Sequence, residues 1–564
     1  MISRRVGEMA ERARIAGAAC RFLVMAVLLL ALWMARVPRA EPGPARPHLV
    51  VFVVVDQMRA DYVDRFRSDW AGGFKRIVSD GAWFRRAAYP YLTTVTCAGH
   101  ATVATGAFPH RHGIIQNAWW DRDRQAMVTC TNDDAAKNIG DGRPAPGGDS
   151  GHQLAIPTLP DVMRTERGAT VVTLSLKARS AIMLAGHGGE ATWLNDDLSG
   201  WATSTAFGNG VTVPAVNAYV RAHAIDDDFG KTWDRLLPPN RYVELDDAVG
   251  EAPPPPWMRT FPHVLRSRGN QPDAEFHTLW ERSPYADQYV ARLAAALVED
   301  RQLGRHQTTD FLGVSFSTPD LVGHAFGPSS QEIHDIYLQL DRTLGFLFDR
   351  LDALVGRANY LVALTADHGV TEIPEQLLSH RKDGGRLDPA ALAALIDARA
   401  QKALGPGTYV ASVNGNDVYF RPGMYDRLSA SRGALDAMIG FLRGVPGIRD
   451  VFTREEVRHG TTSTNPALRA SALTYFQGRS GDLILVPKGG WMFAPAGTTH
   501  GTASDDDQRV PVFLSGSGIK TGAYDSPATP ADIAPTIAAM LGIRLPDAEG
   551  HPLTPGLLPS RSTH

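Results

Sequence analysis

Cysteine is almost absent, with three in 564 residues. Cys20 precedes the most apolar run, where a lipid-modified cysteine would have to follow it, and Cys97 and Cys130 are too few for a disulfide framework in a chain of this size. The core must therefore carry the fold. Charge of one sign is lacking too: 57 Lys plus Arg face 60 Asp plus Glu, without the basic surplus that neutralises a nucleic-acid backbone. No nucleic-acid partner is expected. Long apolar runs, repeats at solenoid periods and low-complexity tracts beyond the four prolines Pro253–Pro256 are missing, which argues against a polytopic membrane protein, a solenoid and a disordered chain. With 44% hydrophobic and 21% charged residues, the bulk of the chain reads as a soluble, compact body.

What is present begins with an asymmetry. Residues 1–40 hold seven Arg and two Glu, net +5, which leaves −8 on the remainder. Arg4, Arg5, Arg12, Arg14 and Arg21 precede the uncharged run from Phe22 to Ala35, which is short for a membrane span of ~20 residues but suits the apolar core of an export signal. Residues 1–40 are read as a signal peptide ending near Ala40, with no further membrane span, and the protein as exported, periplasmic or secreted.

Beyond the signal, apolar runs that end in small or polar residues alternate with helical patterns. They are His48–Val55, Val171–Leu176, Asp310–Ser317, Tyr360–Thr365, Asp482–Val486 and Val510–Leu514. This pattern predicts an α/β fold with a central, mostly parallel sheet covered by helices on both faces. A long amphipathic helix is expected from Ile333 to Leu354, opened by a capping box of Ser329 with Glu332 and stopped at Gly356. Thr529-Pro530 opens another that Gly542 closes. The core is assigned to 45–375 and 478–545, with an insertion beside the sheet within about 143–300, surface connections at Arg143–Gly151 and Pro253–Pro256, and a tail at 546–564. Residues 376–477 read as an inserted α+β cap subdomain, with a helix over Pro389–Leu404, two strands around Asn414-Gly415 and a helix over Asp426–Leu442.

The chemistry gathers at strand ends. Asp56 follows the apolar Val50–Val55, Asp320 and His324 follow Gly313–Ser317, and Asp367-His368 follow Leu361–Thr365. In open α/β sheets ligands bind outside the carboxyl ends of the strands, and Asp with His suits a cation such as Zn²⁺ at a catalytic site. A two-metal hydrolytic centre is the expectation. The hydroxyl-rich stretch Thr93–Thr96 runs into a short helix ended by Gly106, where helix amides would favour an ionised nucleophile. Lys177 and Arg179 stand two apart at the end of Val171–Leu176, so on an extended chain both would face one anion.

These residues resemble the alkaline phosphatase superfamily. The resemblance rests on Asp56, Thr96-Cys-Ala-Gly-His100, His112-Gly-Ile-Ile-Gln-Asn117, Lys177-x-Arg179, Ser317-Thr-Pro-Asp320-Leu-Val-Gly-His324, Asp367-His368-Gly369 and Thr499-His500-Gly501, and spans about 48–545. It is nearest to the phosphate-irrepressible alkaline phosphatases, bacterial phosphomonoesterases. It implies two Zn²⁺, one held by Asp320, His324 and His500, the other by Asp56, Asp367 and His368. It also implies Thr96 as nucleophile and Asn117, Lys177 and Arg179 as grips on the phosphoryl oxygens of small phosphate monoesters. Cys97-Ala98-Gly99-His100-Ala101 lacks the Cys-x-Pro-x-Arg pattern of sulfatases. Nucleotide pyrophosphatase/phosphodiesterases share the Thr and Asn stretches, and phosphodiester hydrolysis is the alternative; the paired Lys177 and Arg179 favour the more highly charged monoester. A non-catalytic, metal-dependent phosphate-binding protein is the alternative of a different class, and it would need no nucleophile.

Overall fold

The computed structural model describes residues 46–559, apart from 141–142, 196–199 and 209–212, together with isolated helical positions before residue 26. The signal-peptide assignment thus falls almost wholly outside the described residues. Among the described residues, no helix is long and apolar enough to cross a membrane.

An eleven-stranded sheet dominates. At its centre Leu49–Val55 pairs in parallel with Asp310–Phe316 on one side and Tyr360–Thr365 on the other. Val171–Ser175 and then Glu190–Leu194 continue the parallel run. All seven residues of Leu49–Val55 are buried, and they alternate between two cores. Leu49, Val51, Val53 and Val55 face the helices Pro284–Asp300 and Gln331–Leu354, while Val50, Phe52 and Val54 face the helices Leu159–Arg167 and Ile533–Leu541. A strand covered on both faces can be apolar at every position, which is why it reads as an unbroken run rather than an alternation.

The margins depart from the expected topology. Val512–Gly516 is antiparallel to Tyr360–Thr365, and Trp201–Ser204, Asn138–Gly140 and Arg143–Pro144 close the opposite side in antiparallel register. The sheet is mixed, with a parallel heart. Glu190–Leu194 and Trp201–Ser204, within the stretch assigned an insertion, also lie in this sheet. Arg143–Pro144, expected in a surface connection, is its edge strand.

Leu483–Pro487 is the main reassignment. It joins Val410–Asn414, Asp417–Phe420 and Ile448–Thr453 in a separate four-stranded antiparallel sheet, packed on Pro389–Leu404 and Ala434–Arg443. The α+β part therefore extends past residue 477. The stretch expected as one helix over Asp426–Leu442 is two, Met424–Ala430 and Ala434–Arg443, because Gly433 between them adopts φ 69°. In the long helix Gln331–Leu354, Ser330 caps Ile333 N–H, whereas Ser329 binds Glu372 and Glu332 turns inward to His263. The cap lies one residue later than the pattern implied. Residues of the expected tail are tied down: Glu549 N–H donates to Gly106 and Leu558 N–H to Gly518.

Candidate active site

Four adjacent strands end along one edge, and their next residues carry the chemistry. Asp56 follows Leu49–Val55, and Asp367-His368 follow Tyr360–Thr365. The helix Thr318–Phe326, entered directly from Asp310–Phe316, presents Asp320 and His324 one turn apart. Lys177 follows Val171–Ser175. His500 arrives from a loop remote in sequence. Arg386 holds that loop through the carbonyls of Ala494 and Gly497, and Gly497 lies so close that a Cβ there would sit 2.1 Å from the His324 carbonyl oxygen.

Two groups of possible metal ligands result, Asp320 with His324 and His500, and Asp56 with Asp367 and His368, each with donor atoms within 4.8 Å of one another. The three imidazoles are oriented alike. Nδ1 of His324 is 2.8 Å from the Thr498 carbonyl, Nδ1 of His500 is 2.7 Å from Thr94, and Nδ1 of His368 is 2.9 Å from Gly369. A carbonyl only accepts, so Nδ1 carries a hydrogen and each Nε2 is left facing inward, where the neutral ring offers a lone pair. His324 Nε2 is 3.1 Å and His500 Nε2 3.6 Å from Asp320 Oδ1. The groups adjoin, for the rings of His368 and His500 stack at 3.5 Å.

The donor set fits divalent cations on electrostatic grounds. Asp56 Oδ1, Asp367 Oδ2 and His368 Nε2 are buried without hydrogen-bond partners, although His368 Nε2 is 3.4 Å from the first oxygen and 3.3 Å from the second. Burial and the Asp56 charge push the Asp367 carboxyl well above the ordinary range, a cost that a bound cation would remove. Burial also lowers His368 to about 3, which favours the neutral, ligating form. At Asp320 burial opposes ionisation, but His324 and Lys177 outweigh it and hold the carboxyl far down.

Lys177 and Arg179 differ from the extended-chain expectation. Lys177 ends the strand segment and Arg179 lies in the first turn of the helix Ala178–Ala185, so they do not project as alternate residues of one strand. Lys177 Nζ lies 2.5 Å from Asp56 Oδ2 and 2.5 Å from Asp320 Oδ2, bridging the two ligand groups. Arg179 Nε is buried and without a partner.

Thr96 is the first residue of the helix Thr96–Thr105, and Val95 before it supplies no side-chain cap. Gly99 lets this helix approach the ligand edge, since a Cβ there would meet the Asp367 carbonyl at 2.1 Å. His100 lies under the same turn, with Nδ1 2.9 Å from the Thr96 carbonyl and 3.3 Å from Asp367 Oδ2, and burial lowers its pKa to about 4. The Cys97 N–H donates to Asn117 Oδ1 at 2.9 Å, placing the Asn117 carboxamide against the Thr96 turn. Cys97 and Cys130 form a disulfide.

A family model described as "Type I phosphodiesterase / nucleotide pyrophosphatase" matches residues 50–506. The chain belongs to this family, within the alkaline phosphatase superfamily. Among curated members it is 32% identical over 526 residues to alkaline phosphatase PafA of Elizabethkingia meningoseptica, covering 90% of this chain and 94% of the relative. It is 31% identical to alkaline phosphatase PhoV of Synechococcus elongatus, covering 89% and 91%. The crystal structure of wild-type PafA superposes with a TM-score of 0.83 at 30% identity, covering 92% of this chain and all of that one.

In this member of the type I phosphodiesterase family, sequence reasoning missed the residues that hold the ligands. Gln57, at φ 68°, receives no attention from a strand-end reading, yet its N–H donates to Asp367 Oδ1 at 3.1 Å and its Nε2 to Asp320 Oδ1 at 2.6 Å. Asn416 directly follows the expected turn at Asn414-Gly415 and carries no signal of its own. Its buried Nδ2 donates to Thr93 Oγ1 at 3.1 Å and to the Gly501 carbonyl at 2.7 Å, joining the Thr96 turn to the His500 loop. For the first, the only sequence signal is a polar amide next to Asp56. The second depends on a contact between segments far apart in sequence and leaves no local trace.

Proposed function

We propose that the chain is an exported, zinc-dependent phosphatase that hydrolyses phosphate monoesters through a phosphothreonine at Thr96. One observation carries this reading: two adjoining Asp/His ligand groups lie at the edge onto which the helix that begins with Thr96 is packed. Two zinc ions, one held by Asp320, His324 and His500 and the other by Asp56, Asp367 and His368, would supply Lewis-acid stabilisation of the attacking and leaving oxygens.

Thr96 Oγ gives its proton to water and attacks phosphorus in line, assisted by the positive end of its helix. The Oγ–P bond forms as the ester O–P bond breaks, and the departing alkoxide takes a proton from water. Arg179, whose Nε is buried without a partner, would give its guanidinium fork to the phosphoryl oxygens. Asn117, fixed by Cys97 N–H through its oxygen, turns its amide donors to the same group. Lys177 balances Asp56 and Asp320 and adds positive charge to the site. Water then attacks phosphorus as the Oγ–P bond breaks, one of its protons passes to Thr96 Oγ, and inorganic phosphate leaves.

Names borne by the relatives PafA and PhoV support a phosphatase, whereas the family description also admits phosphodiester hydrolysis. The Arg-rich N-terminal segment and the disulfide support export to an oxidising compartment. The test is a panel of mono- and diesters run on one preparation, before and after chelation, with metal analysis. Monoester turnover that disappears on chelation and returns with zinc is expected. Full activity without metal refutes the mechanism, faster diester turnover makes the phosphodiesterase reading the better one, and stoichiometric phosphate binding without turnover indicates a binding protein.

A further inference from the structure

The Cys97–Cys130 bridge ties the residue after Thr96 to a position 33 residues further along the chain. Cys97 immediately follows Thr96, and its N–H donates to the Asn117 side-chain oxygen at 2.9 Å. Cys130 stands at the far end of the hairpin Ala118–Asp121/Ala126–Thr129, and its N–H donates to the Asn117 backbone carbonyl at 2.9 Å. The two half-cystines therefore hold the two ends of one residue, main chain and carboxamide. Both cysteines are fully buried, in an apolar cluster with Ala101, Ile114, Ile115 and Trp119.

We propose that this disulfide is a positioning element that sets Asn117 against Thr96, so that monoester turnover falls when the bridge is opened although the fold and both ligand groups persist. The proposal rests on the phosphatase reading above. The geometry gives a reason for the dependence. Asn117 can grip a phosphoryl oxygen only if its oxygen is engaged elsewhere and its amide hydrogens face the substrate, and the Cys97 N–H provides that engagement. Opening the bridge frees the hairpin to shift relative to the helix, and a displacement of about 1 Å is enough to cost orders of magnitude in rate. None of the six candidate metal ligands bonds to either cysteine, so metal content should not follow.

The test is a double-mutant cycle between the bridge and Asn117, read as kcat/KM for p-nitrophenyl phosphate on zinc-loaded enzyme, with zinc content and thermal midpoint measured for every variant. Cys130→Ala and Cys97→Ala/Cys130→Ala should lose about 10–100-fold in kcat/KM with two metals retained. Asn117→Ala should cost far less in those backgrounds than in the wild type, because the bridge acts through Asn117. Fully additive losses, or bridge-free variants with wild-type turnover, overturn the proposal. If the variants do not fold, the bridge is opened in the wild-type protein by a water-soluble phosphine. The S–S bond breaks, phosphorus is oxidised to the phosphine oxide with oxygen from water, and each sulfur gains a proton. Activity lost on reduction and regained on reoxidation, at constant zinc, is then expected, and unchanged activity in protein shown by mass to be reduced overturns it. A wild-type enzyme without phosphatase activity condemns the underlying reading instead, and this inference with it.

Discussion

Replacing Arg179 by Ala should separate monoester from diester hydrolysis, and the structure indicates how far. Arg179 Nε is buried and unpaired, so its guanidinium can give a two-pronged bond to a phosphoryl group, whereas Lys177 is already committed to Asp56 and Asp320 at 2.5 Å each. A charge-assisted hydrogen bond contributes ~1.5–3 kcal/mol. Two of them on a monoester dianion amount to ~3–6 kcal/mol, or roughly 10²–10⁴ in kcat/KM. A diester has an alkyl group on one of those oxygens and keeps about one bond, so its loss should be roughly 10–150-fold. The ratio of the two kcat/KM values should therefore shrink by about 10–100. Lys177→Ala should behave differently. It leaves two buried carboxylates without their shared ammonium, which favours rather than opposes a bound cation, and it removes positive charge that both substrate classes meet, so it should depress both alike with the metals retained. The assay is kcat/KM for p-nitrophenyl phosphate and for its methyl diester, with metal content measured on each variant. Equal losses on both substrates in Arg179→Ala would refute the assignment of monoester preference to this side chain.

Thr96→Ala should abolish the acid-stable phospho-enzyme trapped from labelled substrate and most turnover, whereas Thr94→Ala, whose hydroxyl donates to the Thr502 carbonyl, should still form the label. Asn416→Ala strips buried acceptors on Thr93 and Gly501 of their donor, a penalty of ~1–3 kcal/mol each, so urea unfolding should begin earlier and kcat/KM should fall together with zinc retention at the His500 group. Burial pushes Glu251 from its ordinary 4.5 to about 8. The folded state then binds a proton that the unfolded state has released, so this group's contribution to stability is complete below about pH 4.5 and is lost as pH rises towards 8. Glu251→Gln should flatten that decline in denaturation midpoints recorded from pH 5 to 9.

The sequence alone determined much of this protein. Strand heart and the candidate ligand groups were legible because both are local: Leu49–Val55, Asp310–Phe316 and Tyr360–Thr365 are buried on two faces and read as continuous apolar runs, and each is followed within a few residues by an acid or imidazole of those groups. The resemblance supplied His500, which no strand precedes. Tertiary structure decided the rest. An apolar run such as Leu483–Pro487 looks the same whichever sheet it joins, because pairing partners far along the chain settle that choice, and here they are Asp417–Phe420 and Ile448–Thr453. Lys177 and Arg179 follow a strand, but a helix begins between them and sends one to the carboxylates and leaves the other free. Gln57, Asn416 and the pairing of Cys97 with Cys130 act across contacts between distant segments. Side-chain chemistry and short-range periodicity are properties of the chain itself, whereas the partner of a buried polar group is fixed only when packing brings distant residues within about 3 Å of each other.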